Sequence, residues 1–382
     1  MTKTKLVYVL PTYDPDSAEH LYHIYGFLEA VAKHLDLLLI VERARGEPSF
    51  GGLRVYQRRT QLPVLRALEV LLVMLRARLR GFRRFYAHYS MSGAILSAVV
   101  TRVLGGTSYY WNCGHALHFV PVRLRSLSDL RARIRNQYLL GLTLRLTHHL
   151  VTGTETMAAW YSENYGIPVS SIRVMPNWVD LRRFEALPAK PVLRSQLGWP
   201  TNSKVVLFLH RLAERKGAHF IVPIAKQVVS QYSDRASTLL FVVAGDGPYR
   251  ETLENEIQDA GLKEHFQLAG WVPNRDAIKY FAAADVYMMP SMEEGFPRTL
   301  LEAMAAGCPF TATDVGGVKD IVTPTQARFL AARGDWPAMA DALVRLLSDD
   351  TLRVQLAGDG LAHVRRYSQD KVVQSLVSLV SH

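Results

Sequence analysis

Two carboxylates, Glu294 and Glu302, stand eight positions apart in the segment from Pro290 to Gly307. Pro297 can open a helix there and Gly307 can close it, which leaves Glu294 in the preceding loop and Glu302 inside the helix among Leu300, Leu301, Ala303 and Met304. Carboxylates so placed, one of them near exposed backbone N–H groups, suit the hydroxyls of a sugar and of a ribose. Two cations, Arg211 and Lys216, fall just beyond the apolar run from Val205 to Leu209. Fixed cations at a strand end can stabilise the charge that develops on a departing diphosphate without a metal. A third segment runs from Leu239 to Ala244 into Gly245, Asp246, Gly247, Pro248 and Tyr249. Gly245 and Gly247 would let a nucleotide approach the backbone, and Pro248 is expected at the first helical position. Each segment alone has a plainer reading. Basic loops are mostly solvated, βα turns need glycine for steric reasons, and a lone Glu in an amphipathic helix usually faces water. The weight comes from the three together.

Such residues need elements to hold them. Short β-branched or aromatic runs recur from Leu6 to Leu10, Leu37 to Val41, Arg84 to Tyr89, Ser108 to Trp111, Leu150 to Val151 and Arg173 to Met175, each interval leaving room for a helix. After the Pro-flanked stretch from Leu187 to Pro191 the rhythm restarts with Val205 to Leu209, Leu239 to Val243, Phe266 to Leu268, Val286 to Met289 and Pro309 to Thr313. Strand alternating with helix implies parallel sheets. The expected architecture is therefore α/β, with two Rossmann-like domains, 1–186 and 187–366. A final helix in 367–382 would pack back toward the first domain. Ligand sites in such sheets lie at the carboxyl ends of the strands, here facing each other across a cleft.

Composition narrows the classes further. The chain has 382 residues, 49% of them apolar, with 6 Trp, 17 Tyr and 14 Phe, enough for real cores and against low-complexity disorder. Cys113 and Cys308, 195 positions apart, exclude a disulfide framework and a zinc knuckle and fit a reducing compartment. The run from Leu6 to Pro11 is too short for a signal peptide, and no apolar stretch reaches 18 residues, so a cytoplasmic location is expected. Residues 1–180 hold 22 Lys and Arg against 12 Asp and Glu, a balance of +10 out of a total of +11. Nine arginines and one acid, Glu69, fall between Arg54 and Arg84. Arg76, Arg80, Arg83 and Arg84 would share one face of a helix that ran that far, suited to an anionic membrane or a phosphate-bearing acceptor, or simply solvated. No recognition helix or stacking motif accompanies the charge, so nucleic acid is not an expected partner.

The spacing of Glu294 and Glu302, with Glu294-Gly-Phe-Pro297 leading into Leu300-Leu-Glu-Ala-Met-Ala-Ala-Gly307, resembles the E-x7-E motif of the family 4 glycosyltransferases. That resemblance implies a GT-B fold and a retaining, metal-independent transfer of sugar from a nucleotide-diphosphate donor to a glycan or lipid-linked acceptor, as in bacterial surface polysaccharide synthesis. No cofactor is implied beyond the donor substrate. It extends to Arg211 and Lys216 as diphosphate ligands, to Gly245 and Gly247, to Val272 near the base, to Glu294, Gly295, Phe296 and Glu302 around the donor, and to Met175–Asp180 at the domain junction. The family also places a histidine after a central strand of the first domain. His115 is the expected catalytic histidine here, with His118 the alternative. Two departures stand out: His210 replaces the usual glycine before Arg211, and Pro11-Thr-Tyr-Asp-Pro-Asp-Ser17 stands where a glycine pair follows the first strand.

Other constellations read less sharply. Asp14 and Asp16 mimic a metal-binding pair, but Arg211 and Lys216 already supply countercharge, and no metal is expected. His148 and His149 have no acidic or Cys partner at ligand spacing, and His88 either lines the cleft or fills the sheet. Two rivals to the transferase remain: a non-hydrolysing sugar-nucleotide 2-epimerase, and a non-catalytic sugar-nucleotide-binding scaffold. A dehydrogenase is disfavoured, because no G-x-G-x-x-G follows the first strand.

Overall fold

In this computed structural model, residues 3–14, 22–48, 50–57, 60, 62–114, 126–232 and 238–381 are described. The first sheet contains β1 (Lys5–Leu10), β2 (Asp36–Val41), β3 (Arg54–Gln57), β4 (Arg84–His88), β5 (Thr107–Trp111), β6 (His149–Thr152) and β7 (Ile172–Val174), in the order β3-β2-β1-β4-β5-β6-β7. The second contains β8 (Lys204–Leu209), β9 (Leu239–Ala244), β10 (Phe266–Gly270), β11 (Val286–Met289), β12 (Phe310–Thr313) and β13 (Leu330–Ala331), in the order β10-β9-β8-β11-β12-β13. All these pairings are parallel. Two Rossmann-like α/β units result, the GT-B class of architecture.

The chain divides into Met1–Pro176 with Gln369–His382, and Asn177–Ser368. The first boundary falls at 176/177, not at 186/187, and the Pro-flanked stretch from Leu187 leads into a helix, Lys190–Leu197, with Pro191 in its first turn. The last helix, Gln369–Ser381, belongs to the first unit. It packs on helix Tyr22–Ala32. Its carbonyls at Leu379 and Val380 accept from Tyr109 Oη (3.2 Å) and Arg84 Nε (3.0 Å).

Register explains the first core. Tyr8 pairs with Tyr86, and Tyr86 with Tyr109, so the three rings project to one side and stack at 5.0 and 6.2 Å. In the second unit, β8 and β9 bury Val206, Phe208, Phe241 and Val243 against helices Ile221–Gln231 and Trp336–Ser348.

The basic face differs from its expectation. Helix Pro63–Leu79 ends before Arg80, and Arg84 opens β4, where it bonds Val380 O and Thr107 Oγ1. Arg78 is also committed, donating at 2.6 Å to the carbonyls of Leu104 and Gly105 beyond the neighbouring helix end. Arg76, Arg80 and Arg83 stay exposed.

Asp285, just before β11, accepts from Lys190 Nζ (2.7 Å), Arg194 Nη2 (2.6 Å) and the Val205 N–H (2.7 Å). Burial by itself would raise its carboxyl; Lys190, the Val205 N–H and Arg194 outweigh that and hold it below the usual carboxylate range. Asp285→Asn leaves the buried Arg194 guanidinium without its counter-charge and should cost about 3–5 kcal/mol in chemical unfolding at pH 7. Since the folded carboxyl titrates low, the gap between wild type and variant is present above about pH 4 and should close as pH falls further.

Candidate functional site

Every motif of the second half falls at the carboxyl edge of the second sheet. Residues 210–217 follow β8, 245–248 follow β9, 270–272 close β10 and run beyond it, 290–296 follow β11 and 314–317 follow β12. The strand order reverses between β8 and β11, the switch point where ligands bind in such sheets.

The loops are knitted together by close backbone approach. At Gly217 (φ 72°) a Cβ would lie 1.9 Å from Pro290 O, at Gly245 (φ 146°) 1.9 Å from His210 O, and at Gly247 (φ 157°) 2.3 Å from Leu212 O. Only glycine permits these contacts. Gly245 N–H donates to Gly270 O (2.7 Å), which brings the stretch containing Val272 beside the glycine turn. Gly317 N–H donates to Gly295 O (3.1 Å), and Met292 N–H to Arg215 O (3.0 Å). Phe296 is buried edge-on to Tyr367, and Asn177 Nδ2 donates to its carbonyl (3.2 Å).

At the centre Lys216 and Glu294, 6% and 9% exposed, form an ion pair with Nζ to Oε1 at 2.6 Å. Ser291 Oγ donates to the same oxygen (2.8 Å), and His210 Nε2 lies 3.7 Å from it. Burial pushes the Glu294 carboxyl up, but Lys216, His210 and Ser291 together bring it below its ordinary value. Glu294 is therefore an ionised, positioned acceptor. Glu302, also buried, sits in helix Arg298–Ala305 with Arg298 Nη2 3.4 Å away. Arg211 is exposed at the rim.

Thus Lys216 and Glu294 meet directly, and Gly245, Gly247, Val272, Gly295, Phe296, Arg211 and Glu302 occupy the loops and helix around them. Two local expectations are corrected. Pro248 lies in a turn, because the Gly247–Tyr249 segment is spent on the Leu212 contact and helix Arg250–Asp259 starts later. Pro297 is the residue before helix Arg298–Ala305, with extended backbone. Asp16, His115 and His118 lie outside the described residues. Ser291, which bonds Glu294, had no signal in the sequence beyond its place in the motif.

In the first unit His88 fills the sheet. It is 1% exposed, its Nδ1 lies 2.8 Å from Tyr8 Oη, and its ring stacks on Trp111 at 4.4 Å; burial lowers its pKa to about 3, so it is neutral. Tyr89, the next residue, carries φ 56°, the one non-glycine with positive φ among the described residues. It follows β4 at this sheet's own switch point, a place where such conformations signal functional constraint. Sequence reasoning placed it inside the strand. His148 is structural, its Nδ1 2.8 Å from Ser108 Oγ.

Comparison with known proteins singles out the same region. Residues 189–360 match the family described as Glycosyl transferases group 1. The 2-deoxystreptamine glucosyltransferase of Streptomyces kanamyceticus is 35% identical over 208 residues, covering 54% of this chain and 53% of that one. The D-inositol 3-phosphate glycosyltransferase of Corynebacterium urealyticum is 31% identical over 235 residues, covering 60% and 55%. The chain spans about half the length of these curated relatives. Among solved structures, Anabaena Alr3699/HepE in complex with UDP and glucose superposes with a TM-score of 0.74 at 18% identity, over 99% of each chain. That similarity establishes the fold.

Lys216→Met should expose what the pair contributes. The buried Glu294 carboxylate loses its cation, and stability at pH 7 should fall by about 3–5 kcal/mol in chemical unfolding. Ser291 and His210 still face the carboxylate, so it should stay ionised near neutral pH, and the deficit should shrink only in the acid range where it takes up a proton.

Proposed function

We propose that the chain is a retaining, metal-independent glycosyltransferase that uses a nucleotide-diphosphate sugar. The observation that carries this reading is the buried Lys216–Glu294 pair at the β8/β11 switch point, inside the region that matches the group 1 glycosyl transferases. Glu294 and Glu302 bind donor hydroxyls, and the glycine turns leave room for the nucleotide. In transfer, the bond from the anomeric carbon to the diphosphate oxygen breaks and a bond to the acceptor hydroxyl oxygen forms. The hydroxyl proton passes to an oxygen of the departing diphosphate, whose remaining charge Lys216 and Arg211 stabilise. These two cations meet the charge requirement of the departing diphosphate without a metal.

The acceptor reading rests on the first unit. Among the described residues no helix is long and apolar enough to cross a membrane. Helix Pro63–Leu79 nevertheless exposes Leu65, Leu68, Leu72 and Leu79 beside Arg76 and Arg80. It packs against helix Met91–Leu104, which exposes Val99 and Val103, and that helix packs against Leu140–Leu146, which exposes Leu142. Leucines among arginines favour peripheral attachment to an anionic cytoplasmic leaflet, hence a lipid-linked or glycan acceptor. A second reading, a small cyclitol acceptor, is favoured by the relatives named for 2-deoxystreptamine and D-inositol 3-phosphate.

Donor alone discriminates the classes: slow hydrolysis marks a transferase, a C2 epimer an epimerase, and binding without turnover a scaffold. Arg211→Ala and Lys216→Ala are each expected to slow transfer more than tenfold, with the larger loss, on the order of 3 kcal/mol, at the buried Lys216. Wild-type rates in a folded variant would sink the assignment. Activity should survive EDTA.

For the membrane, the protein should co-sediment with anionic but not neutral liposomes, and less so as salt shortens the Debye length below ~10 Å at 0.1 M. Replacing Arg76, Arg80 and Arg83 by Gln together with Leu68 and Leu72 by Ser should release it while donor hydrolysis continues. A wild type that stays in the supernatant at low salt points to the cyclitol reading.

A further inference from the structure

His210 is gripped by its backbone. Its N–H donates to Ala244 O (3.1 Å), and its carbonyl lies against Gly245, where a Cβ would come within 1.9 Å. The imidazole therefore starts from a fixed origin. Its Nδ1 accepts the Arg211 backbone N–H at 2.8 Å. A ring nitrogen that accepts carries no proton, so the neutral ring holds its proton on Nε2. That N–H side faces Glu294 Oε1 at 3.7 Å. The charged groups of the surrounding loops are Arg211, Glu214, Arg215 and Lys216 after β8, Glu293 and Glu294 after β11, and Asp246 after β9, which is bonded to its own turn at Gly247 N–H.

Lys216 has two duties that conflict. In the structure it pairs with Glu294 (2.6 Å), whereas in the proposed reaction it serves the donor diphosphate. A buried carboxylate deprived of its cation either finds another donor or takes up a proton. Ser291 already donates to Oε1, and His210 Nε2 is about half an ångström beyond hydrogen-bond reach of the same oxygen. We infer that His210 is a positioning residue for Glu294: when the donor diphosphate draws Lys216 away, the Nε2–H of His210 takes its place and keeps Glu294 ionised as an acceptor for the sugar hydroxyls. This inference rests on the donor reading proposed above.

The two ring nitrogens can be tested separately, because Gln reproduces the Nε2 position and Asn the Nδ1 position. UDP-glucose, ADP-glucose and GDP-mannose are titrated calorimetrically into the full chain at pH 6.5 in two buffers of different ionisation enthalpy, with thermal midpoints as the folding control. These donors keep constant charge across the window, so proton uptake reports the protein. Wild type and His210→Gln are expected to bind one donor with dissociation constants within about threefold and no proton uptake. His210→Asn should bind it at least tenfold more weakly, with between about one half and one proton taken up per donor as Glu294 protonates. Wild-type binding by the Asn variant overturns the inference, since only the Arg211 contact would then matter. Equal weakening of both variants, or weakening of Asn without proton uptake, overturns it as well. Binding of none of the three donors by the wild type rejects the donor reading itself, and the inference with it.

Discussion

A negative charge held out of water must be matched, and the second unit is arranged around that requirement at Glu294. Its carboxylate satisfies Lys216, which comes from a different strand's loop, at 2.6 Å. That single contact fixes the loops after β8 and β11 to each other across the line where the strand order reverses. The backbone follows the same line: Gly217 lies against Pro290, and Met292 donates to the carbonyl of Arg215. The ion pair and the glycine contact are two expressions of one constraint, because the ammonium reaches the carboxylate only if the chains approach more closely than a Cβ allows.

Basic residues of the first unit divide by what their side chains do. Arg78 donates to the carbonyls of Leu104 and Gly105, Arg84 holds the last helix, and Arg102 Nε donates to Leu146 O at 2.8 Å. These arginines satisfy backbone carbonyls at helix ends, a structural task that no net charge reveals. Arg76, Arg80 and Arg83 keep their side chains exposed, on and just beyond a helix whose Leu65, Leu68, Leu72 and Leu79 are exposed too.

Much of the second unit was legible because its signals are local. A strand, a glycine turn and a helix start occupy consecutive residues at 239–250, and the segment around Glu294 carries strand, loop and helix in one string. Edge strands β3 and β13 were not legible. β3 is only partly buried and β13 has two residues, so neither shows the apolar run that marks a central strand. The Lys216–Glu294 contact joins residues 78 positions apart; motif spacing suggested a shared site, but neither the pairing nor the part of Ser291 can be read from it. Tyr89 was misread for an opposite reason: an aromatic after a strand-like run reads as more strand, and only the backbone shows the chain turning there with positive φ. The arginine face failed because helical periodicity was extended past Leu79, where the chain turns toward β4.

The placement of the last helix reaches beyond packing. The chain leaves the first unit at Pro176 and returns at Gln369, and Val179 N–H donates to Tyr367 O at 3.0 Å, so the second unit begins and ends at neighbouring residues. That unit is one uninterrupted span, whereas the first is assembled from two pieces. During synthesis, everything the second unit needs emerges before the helix that Arg84 and Tyr109 bind. The half made first on the ribosome is therefore completed only after the whole of the second unit has been made, when Gln369–Ser381 emerges to dock on helix Tyr22–Ala32.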